Sequence, residues 1–159
     1  LPEVDESYPD TLSGEEIPLY ISQEKAAAYR RFMKDNTLLI TADTIVWLDG
    51  KVYGKPRDIA DAKAMLQALS GKTHTVITGV TLTSLQKQIS FAVSTEVTFA
   101  ALGDDEIDYY VETYRPLDKA GAYGVQEWIG YIGVTGLKGS YYNVMGLPIQ
   151  RLYTELKKF

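Results

Sequence analysis

Hydrophobic positions recur along the chain with two different periods, which together predict alternating helices and strands. Apolar residues three or four positions apart, the spacing of one helix face, predict four helices: residues 18–33, 59–69, 105–114 and a last helix that Pro148 opens. Asp58 and Asp104 are suitable N-caps for the second and third of these helices. Residues 1–16 contain two prolines and a glycine, so we expect them to be extended or loop.

Runs rich in β-branched and aromatic residues predict the strands. Residues 37–41 and 45–48 form two such runs, and Asp43 lies in the gap where the first strand is expected to end. Asp49-Gly50 is a strong hairpin signal before a short strand at residues 51–53. Residues 73–83 and 88–100 favour a second hairpin, and residues 117–147 are expected to be loops with short strands. This alternation of short elements indicates an α/β or α+β protein.

Composition and charge narrow the class of protein. The 159 residues fit one domain, and 45% hydrophobic and 23% charged residues are ordinary for a globular chain. No apolar stretch approaches the roughly 18 residues of a membrane span, so no membrane partner is expected. A net charge of −5 argues against nonspecific nucleic-acid binding, which favours a basic surface. The absence of cysteine excludes disulfides and thiolate chemistry and is compatible with an intracellular location.

Elimination leaves carboxylate, lysine and metal chemistry. The single histidine, His74, lies in a predicted strand, where a structural role is the more common one. Neither a Walker A loop nor a dinucleotide-binding glycine motif occurs. Aspartate is unfavourable inside strands, so Asp43 has two interpretations: a turn aspartate bonded to the backbone, or a carboxylate held at a strand end as a general base or metal ligand.

Three lysines are candidates for contacts with an anionic substrate. Lys55 precedes Pro56, Lys25 lies on the first predicted helix, and Lys119 lies among small residues that allow close approach of a ligand. Lys55 and Lys25 by themselves are typical of solvated surface, whereas Lys119 is more suggestive of a ligand site, although its signal alone is also weak. They indicate a phosphate site only if the fold brings them together with Asp43.

Several motifs resemble those of one enzyme family, in the family's order and over most of the chain. They are Ala42-Asp43-Thr44, Asp49-Gly50, Gly54-Lys55-Pro56, residues 69–74 (LSGKTH), residues 116–126 (PLDKAGAYGVQ) and residues 139–148 (GSYYNVMGLP). As a set they resemble the Maf family of nucleoside triphosphate pyrophosphatases. The resemblance implies hydrolysis of a nucleoside triphosphate to the monophosphate and pyrophosphate with a divalent cation, Mg²⁺ or Mn²⁺.

The resemblance also assigns roles to individual residues. Asp43 matches the family's proton acceptor and Glu6 its early glutamate, so both are expected to bind the metal. Lys55 is expected to neutralise charge on the phosphate oxygens during catalysis, and Lys25 and Lys119 are expected to bind substrate.

Two further positions bear on the choice of base. Thr44 and Gln126 resemble the branch of the family that acts on dTTP and UTP, including modified uridine triphosphates. The Gln126 amide offers one donor and one acceptor, which matches the O4 and N3–H edge of uracil and thymine. Glu127 departs from the family, which commonly has a small residue there. Two alternatives stay open: a pyrophosphatase for 7-methyl-GTP, and a nucleotide-binding regulator of septum formation without turnover.

The fold implied by the resemblance is α/β, a mixed sheet with flanking helices and a cleft between two lobes. Residues 1–159 are expected to form a single domain that lacks the family's N-terminal strand and its Ser-x-Ser-Pro-Arg-Arg loop. A housecleaning role in the nucleotide pool, a cytoplasmic location and a homodimer are implied in the same way.

Overall fold

The computed structural model describes residues 3–159, which form six helices, five strands and two 3₁₀ turns. The helices are α1 (Glu16–Tyr29), α2 (Ile59–Leu69), α3 (Asp104–Tyr114), α4 (Trp128–Gly133), α5 (Tyr141–Met145) and α6 (Ile149–Lys158). The strands are β1 (Leu39–Leu48), β2 (Lys51–Tyr53), β3 (Thr73–Thr83), β4 (Gln88–Phe99) and β5 (Val134–Lys138). The 3₁₀ turns are Arg30–Phe32 and Ala120–Ala122.

The five strands form one sheet in the order β2-β1-β3-β4-β5. The α/β class and the flanking helices are therefore confirmed. In residues 3–159 each of the four pairings is antiparallel, where a mixed sheet was expected. For two of the pairings this follows from the connections, because tight hairpins join β1 to β2 and β3 to β4. The cleft between two lobes stays a prediction.

The predicted strand end at Asp43 is wrong. Residues 39–41 and 45–48 belong to one continuous strand, β1, which begins at Leu39, two residues later than expected, and Asp43 lies inside it opposite Gly79 of β3. Strand propensity is weak beside tertiary contacts, and here the carboxylate pairs with Lys25 from α1. Asp43 is therefore a strand residue placed by the fold, and the turn interpretation does not apply.

Other local predictions are confirmed or shifted. The Asp49-Gly50 turn has both residues at positive φ, and Asp58 caps α2 by accepting a hydrogen bond from the Asp61 amide. Asp104 is instead the first residue of α3, because Gly103 takes the N-cap position. Residues 117–147 contain α4 and α5 as well as a short strand; both helices are too short to show a periodic apolar pattern.

The sheet is covered on both faces. On one face α1 packs Ile17 and Ile21 against Ile45 and Ile77. The opposite face carries the larger core, with residues of α2 and α3 packed against alternate positions of β1, β3 and β4. Alternation along β1 therefore directs Asp43 to the face of α1 and Thr44 to the other face.

Helix α1 packs directly against the sheet backbone at Gly79. A Cβ atom at that position would lie 2.4 Å from the carbonyl carbon of Pro18, which leaves no room for a larger residue. Since Gly79 is also the cross-strand partner of Asp43, this contact fixes how deeply α1 sits beside the carboxylate. Among residues 3–159, no helix combines the length and the apolar character that crossing a membrane requires.

Candidate functional site

A pocket of about 250 Å³ lies at the edge of β1. Its lining includes most of the residues singled out from the sequence: Lys25, Asp43, Thr44, Lys55, Lys119 and Gln126. Tyr123 and residues 144–146 form further parts of its wall. Glu6 does not line the pocket but forms ion pairs with Lys25 and Lys55. The fold thus brings all seven residues together, and their individual roles stay predictions.

Lys25 is the centre of the charged cluster. Its Nζ donates to the Ala42 carbonyl at 2.9 Å and lies 3.5 Å from Asp43 Oδ1 and 3.4 Å from Glu6 Oε1. The side chain is 22% exposed, so the solvated-surface interpretation of this lysine is wrong. Lys55 is more open, at 57%, and lies 3.9 Å from the second Glu6 oxygen. The two lysines therefore share one glutamate at the mouth of the pocket.

The Asp43 carboxylate is nearly buried and only partly satisfied. Its side chain is 11% exposed, and Oδ2 is buried without a hydrogen-bond partner. Burial raises the pKa of Asp43 from 3.8 to about 6, although the neighbouring Lys25 opposes the rise. A carboxyl with that pKa is ionised at neutral pH and is a far better proton acceptor than an ordinary aspartate.

The same oxygen suits a hard cation. Carboxylate oxygens are the ligands that Mg²⁺ prefers; within residues 3–159, Asp43 Oδ2 has no partner, and the neighbouring Glu6 is paired only with the two lysines. In the part of the chain described, no group of three or more histidine, cysteine or acidic side chains is placed to hold a metal. The residues therefore fit a cation bound by one or two carboxylates together with substrate phosphates and water, the usual arrangement for Mg²⁺.

Thr44 joins β1 to the opposite wall of the pocket. Its hydroxyl lies 2.8 Å from the Thr78 hydroxyl and 3.3 Å from the Gly146 carbonyl, to which it can donate. Asn143 holds the same wall, since its buried amide donates to the carbonyls of Val76 and Val93. Sequence reasoning missed Thr78 and Asn143. Only the position of Asn143 within the Gly139–Pro148 motif hinted at a role.

Lys119 and Gln126 lie on the segment that follows α3. Gln126 is exposed, its backbone carbonyl accepts from the Tyr131 hydroxyl at 3.0 Å, and its side-chain amide makes no hydrogen bond within residues 3–159. Lys119 Nζ lies 3.1 Å from Asp118 and 3.9 Å from Glu127. The Gln126 amide is thus free to bind a ligand, whereas Lys119 is already shared between two carboxylates.

His74 lies beneath the pocket and is buried. Its Nε2 atom is 2.6 Å from the Tyr123 hydroxyl, and its ring packs edge-on against Phe99. Burial lowers the pKa of His74 from 6.5 to about 4, so the ring is neutral at physiological pH. These contacts agree with a structural role, in which His74 supports the tyrosine at the pocket wall.

His74 is expected to make the fold sensitive to mild acid. Because its pKa is lower in the folded protein than in the unfolded chain, protons favour the unfolded state as the pH falls below 6.5. The contribution of this residue to stability should fall by about 2 kcal/mol between neutral pH and pH 5. Urea unfolding at both pH values should show a smaller acid loss in His74→Gln than in the wild type. Equal losses would contradict this account.

Comparisons with known proteins identify the family of the chain. The family model for Maf-like protein matches residues 1–159. A dTTP/UTP pyrophosphatase of Phocaeicola vulgatus is 68% identical over 158 residues, which are 99% of this chain and 82% of that relative. The dTTP/UTP pyrophosphatases of Bacteroides fragilis and Flavobacterium psychrophilum are 64% and 48% identical, over 99% and 98% of this chain and 82% and 80% of their own lengths. With a family match along its whole length and relatives this similar, the chain belongs to the Maf family.

Proposed function

We propose that this chain hydrolyses dTTP and UTP to the monophosphate and pyrophosphate, and so removes unwanted nucleotides from the cellular pool. The observation that carries the proposal is a pocket that joins one nearly buried carboxylate of raised pKa to three lysines. Such a site can accept a proton and hold a polyanion at the same time. The relatives that are 68% and 64% identical are dTTP/UTP pyrophosphatases, which supports the same substrates here.

The reaction needs a water molecule to attack the α-phosphorus while pyrophosphate leaves. We assign to Asp43 the role of taking the proton of that water, since its pKa of about 6 leaves it ionised at neutral pH. Lys25 and Lys55 provide positive charge at the same wall of the pocket, where it offsets the charge that develops on the phosphate oxygens. The Ala42 carbonyl holds the Lys25 ammonium in place before substrate arrives, so little reorganisation is required.

A divalent cation, Mg²⁺ or Mn²⁺, is part of the proposal. Asp43 and Glu6 would hold it together with the substrate phosphates, and it would supply neutralising charge when bound. The residues of the chain would orient the triphosphate whichever of the two ions is used.

The pyrimidine base is proposed to contact Gln126. This exposed side chain has a free amide on the pocket lining, and that amide can pair with O4 and N3–H of uracil or thymine. Thr44 contributes by a different route, because its hydroxyl is engaged with Thr78 and Gly146. We therefore assign Thr44 to holding the pocket wall against which the base would lie.

The function is tested by pyrophosphate release from dTTP, UTP, CTP and 7-methyl-GTP. The assay uses the full-length protein with Mg²⁺ or Mn²⁺, and a chelator as the metal-free control. We expect dTTP and UTP to be the best substrates and the chelator to remove activity. Faster turnover of 7-methyl-GTP would support the purine alternative, and nucleotide binding without hydrolysis would support the septum-regulator alternative. The homodimer and the cytoplasmic location stay predictions beside this test.

Replacing Gln126 by alanine should weaken the preference for uracil. Loss of the paired amide is expected to raise KM for UTP about tenfold and to change KM for CTP much less. Steady-state kinetics with both nucleotides measures the change, and Gln67→Ala is a matched control, because Gln67 is an exposed glutamine on α2. An equal rise in KM for UTP and CTP would rule out base recognition by Gln126.

A further inference from the structure

The segment that carries Lys119 and Gln126 is held from below by one tyrosine hydroxyl. Tyr110 of α3 is completely buried, and its ring stacks on Tyr114 at 5.0 Å. Its hydroxyl accepts the Gly124 amide proton at 3.0 Å and donates to Glu127 Oε1 at 2.8 Å. Burial raises the pKa of Tyr110, so this hydroxyl keeps its proton and remains a donor.

Lys119 and Tyr110 contact the same oxygen atom. Glu127 Oε1 lies 2.8 Å from the tyrosine hydroxyl but 3.9 Å from the Lys119 ammonium. Both Lys119 and Glu127 are partly buried, with side chains 28% and 22% exposed, so solvent screens this ion pair only in part. The tyrosine thus has the short contact with the carboxylate and the lysine the long one.

Close packing around Gly124 fixes the positions of the Lys119 and Glu127 side chains relative to each other. A Cβ atom at Gly124 would lie 2.5 Å from Glu127 Oε1 and 3.1 Å from Cε of Lys119, so both side chains lie directly over the glycine. The Glu127 amide also donates to the Gly124 carbonyl at 3.0 Å, which closes the turn that presents Gln126. A movement of the Glu127 carboxylate would therefore change its distance from the Lys119 ammonium.

We propose that Tyr110 and Glu127 are positioning residues that set the strength with which Lys119 binds the phosphates of the substrate. The Tyr110 hydroxyl holds Glu127 Oε1 at 2.8 Å and so keeps that carboxylate 3.9 Å from the Lys119 ammonium, short of a close ion pair. The ammonium on the pocket lining then has one close carboxylate partner among residues 3–159, Asp118 at 3.1 Å, whose side chain is 76% exposed and solvent-screened. This inference rests on the proposed function for the identity of the substrate, and it concerns how the same site is tuned.

The two groups should have opposite effects on anion binding. Tyr110→Phe removes the competing hydroxyl and lets Glu127 pair closely with Lys119, so affinity for pyrophosphate should fall about three- to tenfold. Glu127→Gln keeps the size and an acceptor oxygen but removes the charge, so affinity should rise by a similar factor. In the Glu127→Gln background, Tyr110→Phe should have little further effect, since residue 127 then carries no charge that could compete for Lys119.

The proposal is tested by calorimetric titration of inorganic pyrophosphate into four full-length proteins. These are the wild type, both single variants and the double variant. Tyr114→Phe is the matched control, because this partly exposed tyrosine stacks on Tyr110 from the same helix. KM and kcat for UTP are measured on the same proteins, and the changes are expected in KM. A merely structural role would lower stability without the sign reversal between the two single variants.

The outcomes separate this proposal from the proposed function. Additive effects in the double variant, or unchanged affinity in Glu127→Gln, would overturn the role of Tyr110 and Glu127 even if the wild type hydrolyses UTP. A wild type that binds pyrophosphate with the expected pattern but does not hydrolyse dTTP or UTP would keep this inference and reject the function.

Discussion

Asparagine in place of Asp43 is expected to remove catalysis and, in metal-free buffer at pH 7, to make the protein more stable. Loss of a general base typically lowers kcat by about 10²- to 10⁴-fold, and the asparagine amide has no proton-accepting oxygen of comparable basicity. The gain in stability arises because the wild-type carboxylate is ionised at pH 7 although it is nearly buried and Oδ2 has no partner.

The direction of this change in stability follows from the pKa of Asp43. The folded value of about 6 lies above the ordinary 3.8, so the folded protein holds this proton more tightly than the unfolded chain. The stability associated with it is complete below pH 3.8 and is lost as the pH rises through 6. Above that pH the cost in the wild type is about 3 kcal/mol, of which the neutral amide should recover a large part.

Thermal unfolding with a chelator and again with Mg²⁺ measures this effect alongside kcat. The metal should raise Tm of the wild type and leave Tm of the Asp43→Asn variant nearly unchanged, since the variant lacks one of the proposed ligands. Asp49→Asn is the matched control, because Asp49 is an exposed aspartate in the hairpin that follows the same strand. An Asp43→Asn protein that is less stable than the wild type without metal would refute the buried-charge account.

The second large effect is expected from Gly79→Ala, which lies outside the pocket. The added methyl group would lie within 2.5 Å of backbone atoms of Pro18 and Leu19, so α1 itself must move away from the sheet. Overpacking of this kind costs about 1–3 kcal/mol of folding stability. Because Lys25 reaches Asp43 from the same helix, activity should also fall, by about 10²-fold for a shift of about 1 Å.

Denaturant unfolding of the Gly79→Ala protein measures the loss of folding stability, and steady-state kinetics measures the loss of activity. Gly136→Ala on β5 is the control, because the nearest atoms to its Cβ are 3.8 Å away, an ordinary contact distance. If Gly79→Ala folds as stably as Gly136→Ala and keeps full activity, then the depth of α1 does not set the geometry of Lys25.

The residues that carry the chemistry of the site could be predicted from the sequence better than the contacts that position them. Elimination and the resemblance both indicated Asp43, and hairpin and capping signals predicted β2 and α2 because these depend on neighbouring residues. The continuity of β1 through Asp43 could not be predicted, since it depends on Lys25, 18 positions earlier in the chain. Lys25 in turn has the local pattern of any solvated helix lysine.

The supporting residues carry no local signal at all. Thr78 matters because Thr44 lies opposite it in the sheet, and Tyr110 matters because its hydroxyl meets Glu127 across the core. Both contacts depend on the register of the strands and the packing of the helices, which single-sequence patterns do not specify. An inward-facing threonine and a buried tyrosine are otherwise ordinary core residues of a strand and a helix.

Because side chains alternate between the two faces of β1, the register of this strand decides which face each of its site residues occupies. Asp43 and Thr44 are consecutive, yet one faces α1 and the other faces the wall that Asn143 holds. A one-residue slip of β1 against β3 would exchange their faces and would also move Ile45 away from its contacts with Ile17 and Ile21 of α1. The same hydrophobic alternation that stabilises the sheet therefore also determines where the proposed catalytic carboxylate lies. Insertions or deletions within β1 should be tolerated far less well than substitutions at its exposed positions.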